Sequence, residues 1–327
     1  MKSAIDRYLE LCATEDATCD AKCSYNSKKP GEFIKKVVGN AEFRKRVKAA
    51  RSWGNYRTKD GSATKTRVSA LTGKPISEEL EATINKLLGA KPVANEFIES
   101  LPEIRAARLA KKRIAEAFKK RYGVDNPALI DTPSRKAMRD KVLADLHGGN
   151  RLEYKGFKYE PKHEKRLDIV LGVPAAGKST LIVADLVKKT RGRVCDADDI
   201  KDRLPEYNGG LGADLLAAEA NEMNTSALYA AAARGENIVY PIIGADGEIV
   251  ACIMVAAYAV GYKTHLYFAK ANRNIAKGRL LNRFVGKGRL TELDYFDRAM
   301  ARSERTFRKL APKAASATEV LTFEPGI

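Results

Sequence analysis

The chain has 327 residues, with 59 Lys and Arg against 41 Asp and Glu, a net charge of +18. That length has room for about two domains, and no apolar stretch approaches the ~20 residues of a membrane span. The opening MKSAIDRYLELCATED has no signal-peptide apolar core, so a cytoplasmic protein without membrane attachment is expected. Cysteine usage agrees. The cysteines at 12, 19, 23, 195 and 252 are odd in number, which argues against a disulfide framework and for a reducing compartment. Cys12, Cys19 and Cys23 cluster, but His147 is far away, so they are read as free thiols rather than zinc ligands.

From Asp6 to His147 the chain reads as successive amphipathic helices, such as SEELEATINKLLGA and EIRAARLAKKRIAEAFKKRYG, broken at KKPGE, LTGKP, GAKP and DNPALIDTPS. Ser77 can cap a helix whose first turn holds Glu78 and Glu79, and Thr132 before Pro133 marks a second helix start. The first 150 residues carry 31 basic and 19 acidic side chains. The charge is densest at 30–75, where 12 basic residues face 3 acidic ones, interleaved with Trp53 and Tyr56. Such a tract suits nucleic acid, an acidic protein partner, or plain solvated surface, and no nucleic-acid motif accompanies it. LHGGNRLEYKGFKYEPKHEKR then reads as a linker or short hairpin.

From Arg166 onward, strand-like and helix-like segments alternate. Strands are expected at 167–171, 192–195, 237–243, 263–269 and 319–323, and helices at 178–189, 213–234, 246–260, 271–284 and 291–310. The run IVACIMVAAYAV at 249–260 is read as a buried helix packed on the sheet. This alternation predicts an α/β fold with a parallel sheet and helices on both faces, preceded by an all-α N-terminal domain. Ligands of such sheets bind at the carboxyl ends of strands.

The first strand, LDIVL, ends at Gly172, and Gly172-Val-Pro-Ala-Ala-Gly177-Lys178-Ser179 fits G-x-x-x-x-G-K-[ST] at every fixed position. Strand, glycine loop and helix follow in the order that a phosphate loop needs. The backbone N–H groups of Gly172, Ala175, Ala176, Gly177, Lys178, Ser179 and Thr180 can cradle ATP phosphates at a helix N-terminus. Lys178 adds a point charge that follows the transferring phosphoryl group, and Ser179 a neutral oxygen for Mg²⁺. The bland alternative, a glycine-rich turn with a surface lysine, does not need the flanking pattern.

The second strand runs into CDADDIKDRLPEY, which sets Asp196, Asp198 and Asp199 beside that loop. A kinase needs one carboxylate to take the acceptor hydroxyl's proton, whereas Asp199 suits the following helix dipole. Later, NIAKGRLLNRFVGKGRLTE places Arg279 and Arg283 one turn apart, with GKGR as a short glycine hinge before Arg289. Arginines on a mobile segment can close over transferring phosphate with bidentate geometry.

The order of these motifs resembles the zeta toxin family of P-loop kinases, through most of residues 166–310. GVPAAGKST resembles the family's phosphate loop, and CDADDIKDRLPEY its aspartate segment. EANEMNTSALYAAAARGENIV and GYKTHLYFA are similar to its acidic helix and fourth strand. The resemblance implies Asp198 as the base, Asp196 and Glu219 facing substrate, and Arg283 and Arg289 contacting phosphate. It also implies ATP and Mg²⁺ as cofactors, transfer to the sugar 3′-hydroxyl of a UDP-N-acetylglucosamine-like acceptor, and an antitoxin partner. After the third strand this chain reads VYPIIGADGE, where the family often has an Asp/Glu-x-Thr end. Two other functions stay open: a polynucleotide kinase or nucleic-acid-binding NTPase using the 30–75 tract, and a regulatory module that only senses nucleotide. A helical basic domain at 1–150, regulatory or docking, and a kinase domain at 155–327 able to fold alone complete the expectation.

Overall fold

The computed structural model describes residues 67–322 and, as backbone alone, a strand at Phe33–Lys36. Cys12, Cys19, Cys23, Trp53, Tyr56 and most of the 30–75 tract lie outside the described residues. The first described helices are α1 (Glu78–Leu88), α2 (Asn95–Ser100), α3 (Pro102–Tyr122) and α4 (Pro133–His147). Both expected caps are present. Ser77 Oγ accepts from the Leu80 N–H at 3.2 Å, and Thr132 Oγ1 from the Arg135 N–H at 3.3 Å. LEYKGFKY forms an antiparallel hairpin, β2 (Leu152–Tyr154) with β3 (Phe157–Tyr159), around Lys155 and Gly156 at positive φ.

The strands of the second half are β4 (Arg166–Leu171), β5 (Arg193–Val194), β6 (Ile238–Ile242), β7 (Lys263–Lys270) and β8 (Ser316–Leu321). With Phe33–Lys36 as β1 they form one sheet in the order β1-β8-β7-β4-β6-β5, all pairs parallel. The five expected strands are there. The sixth, along with a bridge between Val68 and Pro75, departs from an all-helical N-terminal region. β8 would otherwise present a row of unpaired backbone groups at the sheet edge, and β1 covers it.

Between strands run a π-type turn at Lys178–Val183 and then α5 (Ala184–Thr190), α6 (Ala197–Lys201), α7 (Ala217–Ala233), α8 (Gly247–Ala259), α9 (Arg273–Lys287) and α10 (Leu293–Leu310). β4 is buried along both faces, as a central parallel strand must be. Ile169 and Leu171 pack with Leu228, Met254 and Phe307 on one face, while Val170 packs with Ile182, Leu280 and Phe296 on the other.

One expectation changes here. The apolar run at 249–260 is not a buried helix. Only Val250 and Met254 of α8 are buried, and Ile249, Tyr258 and Val260 are exposed. A surface helix buries one stripe, and α8 lies in an outer layer with its far side to solvent. The N-terminal helices also share their core with the second half. Ile76, Leu80, Ile84, Leu87, Ile98, Leu101 and Ile104 form one buried cluster with Leu281, Phe284, Val285, Leu290 and Leu293. Val142 of α4 joins Ile200, Leu216 and Met223 in another.

Candidate active site

β4 ends in the middle of the sheet, so the loop after it opens at the carboxyl edge between β6 and β7. The loop's glycines answer to specific needs. Gly172 has φ 143°, and a Cβ there would press on the Ala269 backbone of β7 at 3.1 Å. Gly177 has φ 88°, which lets the chain turn into the π-type turn. The N–H groups of Ala175, Gly177, Lys178 and Ser179 donate to no backbone carbonyl among the described residues. They remain available to an anion, while the Ala176 N–H is spent on Val173 O at 3.2 Å. Lys178 curls over the loop and donates to the carbonyls of Gly172 and Val173. Burial pushes its ammonium down to about 8, with Asp196 and Asp198 opposing.

Asp196 follows β5 and caps α6, its Oδ1 accepting from the Asp198 N–H at 3.0 Å. Burial, with Asp198 and Asp199 nearby, holds its carboxyl well above the usual range. Asp198 behaves in the opposite sense. Burial alone would raise it, but a two-pronged pair with Arg289 outweighs burial and holds the carboxyl far below normal. Arg289 Nη2 lies 2.6 Å from Asp198 Oδ1, and Nη1 2.5 Å from Oδ2. Arg283 has weaker company. Its Nη2 donates to Thr291 Oγ1 at 3.3 Å and its Nε has no partner among the described residues. Burial, then Arg289, lowers it to about 10. A guanidinium so placed is short of an anion.

One cleft of about 2510 Å³ brings together Lys178, Ser179, Asp196, Asp198, Arg283 and Arg289. It leaves out Glu219, for which a substrate-facing role was expected. Glu219 is 1% exposed and accepts from Arg135 Nε at 2.8 Å, Arg135 Nη2 at 2.5 Å and Arg139 Nε at 2.7 Å. Two arginines one turn apart on α4 reach it first, and a buried carboxylate needs such partners. The cleft also holds groups that no motif marked. Tyr154 and Lys155 of the hairpin both donate to the Ser179 carbonyl, at 3.3 and 2.7 Å. Arg302, Arg305 and Lys309 of α10 line the far wall, and their i, i+3, i+7 spacing was open to reading in RSERTFRKL. Among the described residues no three His, Cys, Asp or Glu converge as a metal cluster. Ser179 would therefore hold Mg²⁺ jointly with phosphate oxygens, and with the free loop N–H groups and the under-paired Arg283 the residues fit ATP·Mg²⁺.

A central strand, an anion-ready loop and arginines facing it define a P-loop kinase fold. The family model for Zeta toxin matches residues 150–325, and the chain belongs to that family. It is similar to a solved structure of the PezAT chromosomal toxin–antitoxin system of the human pathogen Streptococcus pneumoniae, with 14% identity, a TM-score of 0.46, and coverage of 59% of this chain and 79% of that one. No curated protein matches the chain. No described helix is long and apolar enough to cross a membrane.

Proposed function

We propose that this protein is an ATP-dependent kinase acting as the toxin of a toxin–antitoxin pair. It would transfer the γ-phosphate to a hydroxyl of a small nucleotide-containing acceptor of the UDP-N-acetylglucosamine kind. The single observation that carries the reading is Arg283, half-buried in the cleft beside the phosphate loop, with one long hydrogen bond and an Nε that finds no partner among the described residues. Asp198 and Asp202 are near enough to favour its charge, but no carboxylate among the described residues pairs with it directly, and a transferring phosphoryl group would fill that place.

In this reading the loop N–H groups and Lys178 would orient the triphosphate, and Ser179 Oγ would hold a Mg²⁺ whose chemistry there is to neutralise charge on the phosphate oxygens. Asp198 accepts the acceptor's proton. Its grip on Arg289 suits an exchange in which Arg289 turns to phosphate and leaves Asp198 free to work as a base. Asp196, held protonated more readily, is suited to donate to the acceptor. Pro241 and Ile243 line the cleft without proton-accepting groups, and Asp246, the first carboxylate after β6, is engaged in capping α8. Asn221 and Thr225 offer neutral hydrogen bonds to a sugar or base, and Arg302 and Arg305 offer charge to the acceptor's own phosphates.

The test is direct. Protein with γ-labelled ATP is offered nucleotide-sugars, dinucleotides and oligonucleotides, and label is expected on a nucleotide-sugar. Label on oligonucleotides alone would replace this reading with the polynucleotide kinase one. Label on water alone would leave a nucleotide-sensing module.

A further inference from the structure

The glycines of GKGR suggest a free flap, yet the segment that carries Arg289 is held from three sides. On the inner side, Arg289 grips Asp198. Behind it, Gly288, at φ 66°, lies against the carbonyl of Gly209 and the side chain of Leu71, and Gly210 lies against the backbone of Lys287 and Arg289. There is no room for a Cβ at either glycine. On the outer side stands α3. Lys111 Nζ is 3.0 Å from Glu292 Oε1, 3.4 Å from Leu290 O and 2.5 Å from Asp214 Oδ2. Arg108 meets Glu292 at 2.8 Å. The Ala70 N–H donates to Val285 O at 2.7 Å, and Arg67 Nε to Asn282 Oδ1 at 3.0 Å. The side chains interleaved with Arg283 and Arg289, namely Phe284, Val285 and Leu290, all sit in the cluster built by α1 to α3.

We propose that Lys111 is a positioning residue for phosphoryl transfer: it ties the lid at Leu290 and Glu292 to the opposing 205–216 segment at Asp214, and so fixes where Arg289 can reach. The N-terminal helical layer is then a working part of the kinase site, holding its lid, and the inference rests on the kinase reading above. Burial would lower the Lys111 ammonium, but Asp214 and Glu292 outweigh it and keep the cross-link charged. Lys111 touches no group that reacts. It acts through the lid backbone, and a lid displaced by about 1 Å is enough to cost transfer on the order of a hundredfold.

The test uses the full chain with Lys111→Met, which keeps the apolar stem, Lys111→Arg, and Asp214→Asn, which breaks the tie from the other side. The exposed neighbour Lys112→Met is the control. Transfer kinetics are read beside limited trypsin cleavage after Lys287 and Arg289, followed by mass spectrometry. Lys111→Met and Asp214→Asn are expected to lower kcat about tenfold or more while KM for ATP moves less than about threefold, since the lid acts in the transition state. Both should speed lid cleavage, and Lys111→Arg should recover both readouts. A thermal melt checks folding, which a split between kcat and KM does not follow. Unchanged kcat with unchanged cleavage in Lys111→Met overturns the proposal. If the unmodified protein transfers no phosphate, the kinase reading has failed, and the cleavage comparison alone decides whether Lys111 holds the lid.

Discussion

Deleting residues 1–150 is expected to leave a chain that cannot fold stably, although the second half contains the sheet, the phosphate loop and the lid. Leu281, Phe284, Val285, Leu290 and Leu293 are each at most 6% exposed, and the residues that cover them include Leu80, Ile84, Leu87 and Ile104. Uncovering about half of each side chain costs about 1 kcal/mol apiece, hence about 5 kcal/mol. Ile200, Leu216 and Met223 would lose the cover of Val142 and its neighbours on α4, at about 3 kcal/mol together. The loss of about 8 kcal/mol compares with a total stability of about 5–15 kcal/mol for a typical domain. The assay is expression of 151–327 beside the full chain, with thermal melts followed by circular dichroism. A fall of about 20 °C, or no cooperative transition, is expected. A cooperative melt of 151–327 within about 5 °C of the full chain would refute the reasoning and restore a two-domain description with an independent kinase unit.

Lys178→Ala should abolish binding of a non-hydrolysable ATP analogue without lowering the melting temperature, because the side chain contributes charge rather than core. The charge itself sets a pH dependence. With its ammonium at about 8, Lys178 is mostly charged at pH 7 and mostly neutral at pH 9, so analogue affinity should weaken about tenfold between them. Lys178→Arg should flatten that response, and an equal slope in both proteins would assign it elsewhere. Asp198→Asn should slow transfer roughly a hundredfold or more while analogue binding holds or tightens, because Arg289 loses its carboxylate partner. An unchanged transfer rate, measured with label on the acceptor, would move the base to another carboxylate.

Much of this molecule follows from local pattern. Gly172, Gly177, Lys178 and Ser179 announce a phosphate loop because anion binding by backbone N–H groups needs that spacing and a strand before it. The five parallel strands follow from short apolar runs that alternate with helical ones, and Ser77 and Thr132 as caps follow from their short side-chain oxygens. What local pattern does not carry is which surface meets which. The EANEMN segment has the same look whether Glu219 faces a cleft or is clamped by Arg135 and Arg139 from eighty residues away. IVACIMVAAYAV has the same hydrophobicity at the centre or in an outer layer. GKGR reads as a free hinge until Leu71, Gly209 and Lys111 are packed around it. Local propensity depends on a few neighbouring residues and so is written in order along the chain. The partners of a buried charge or a lid are chosen by the burial of distant apolar faces against each other, and only the folded chain brings those faces together.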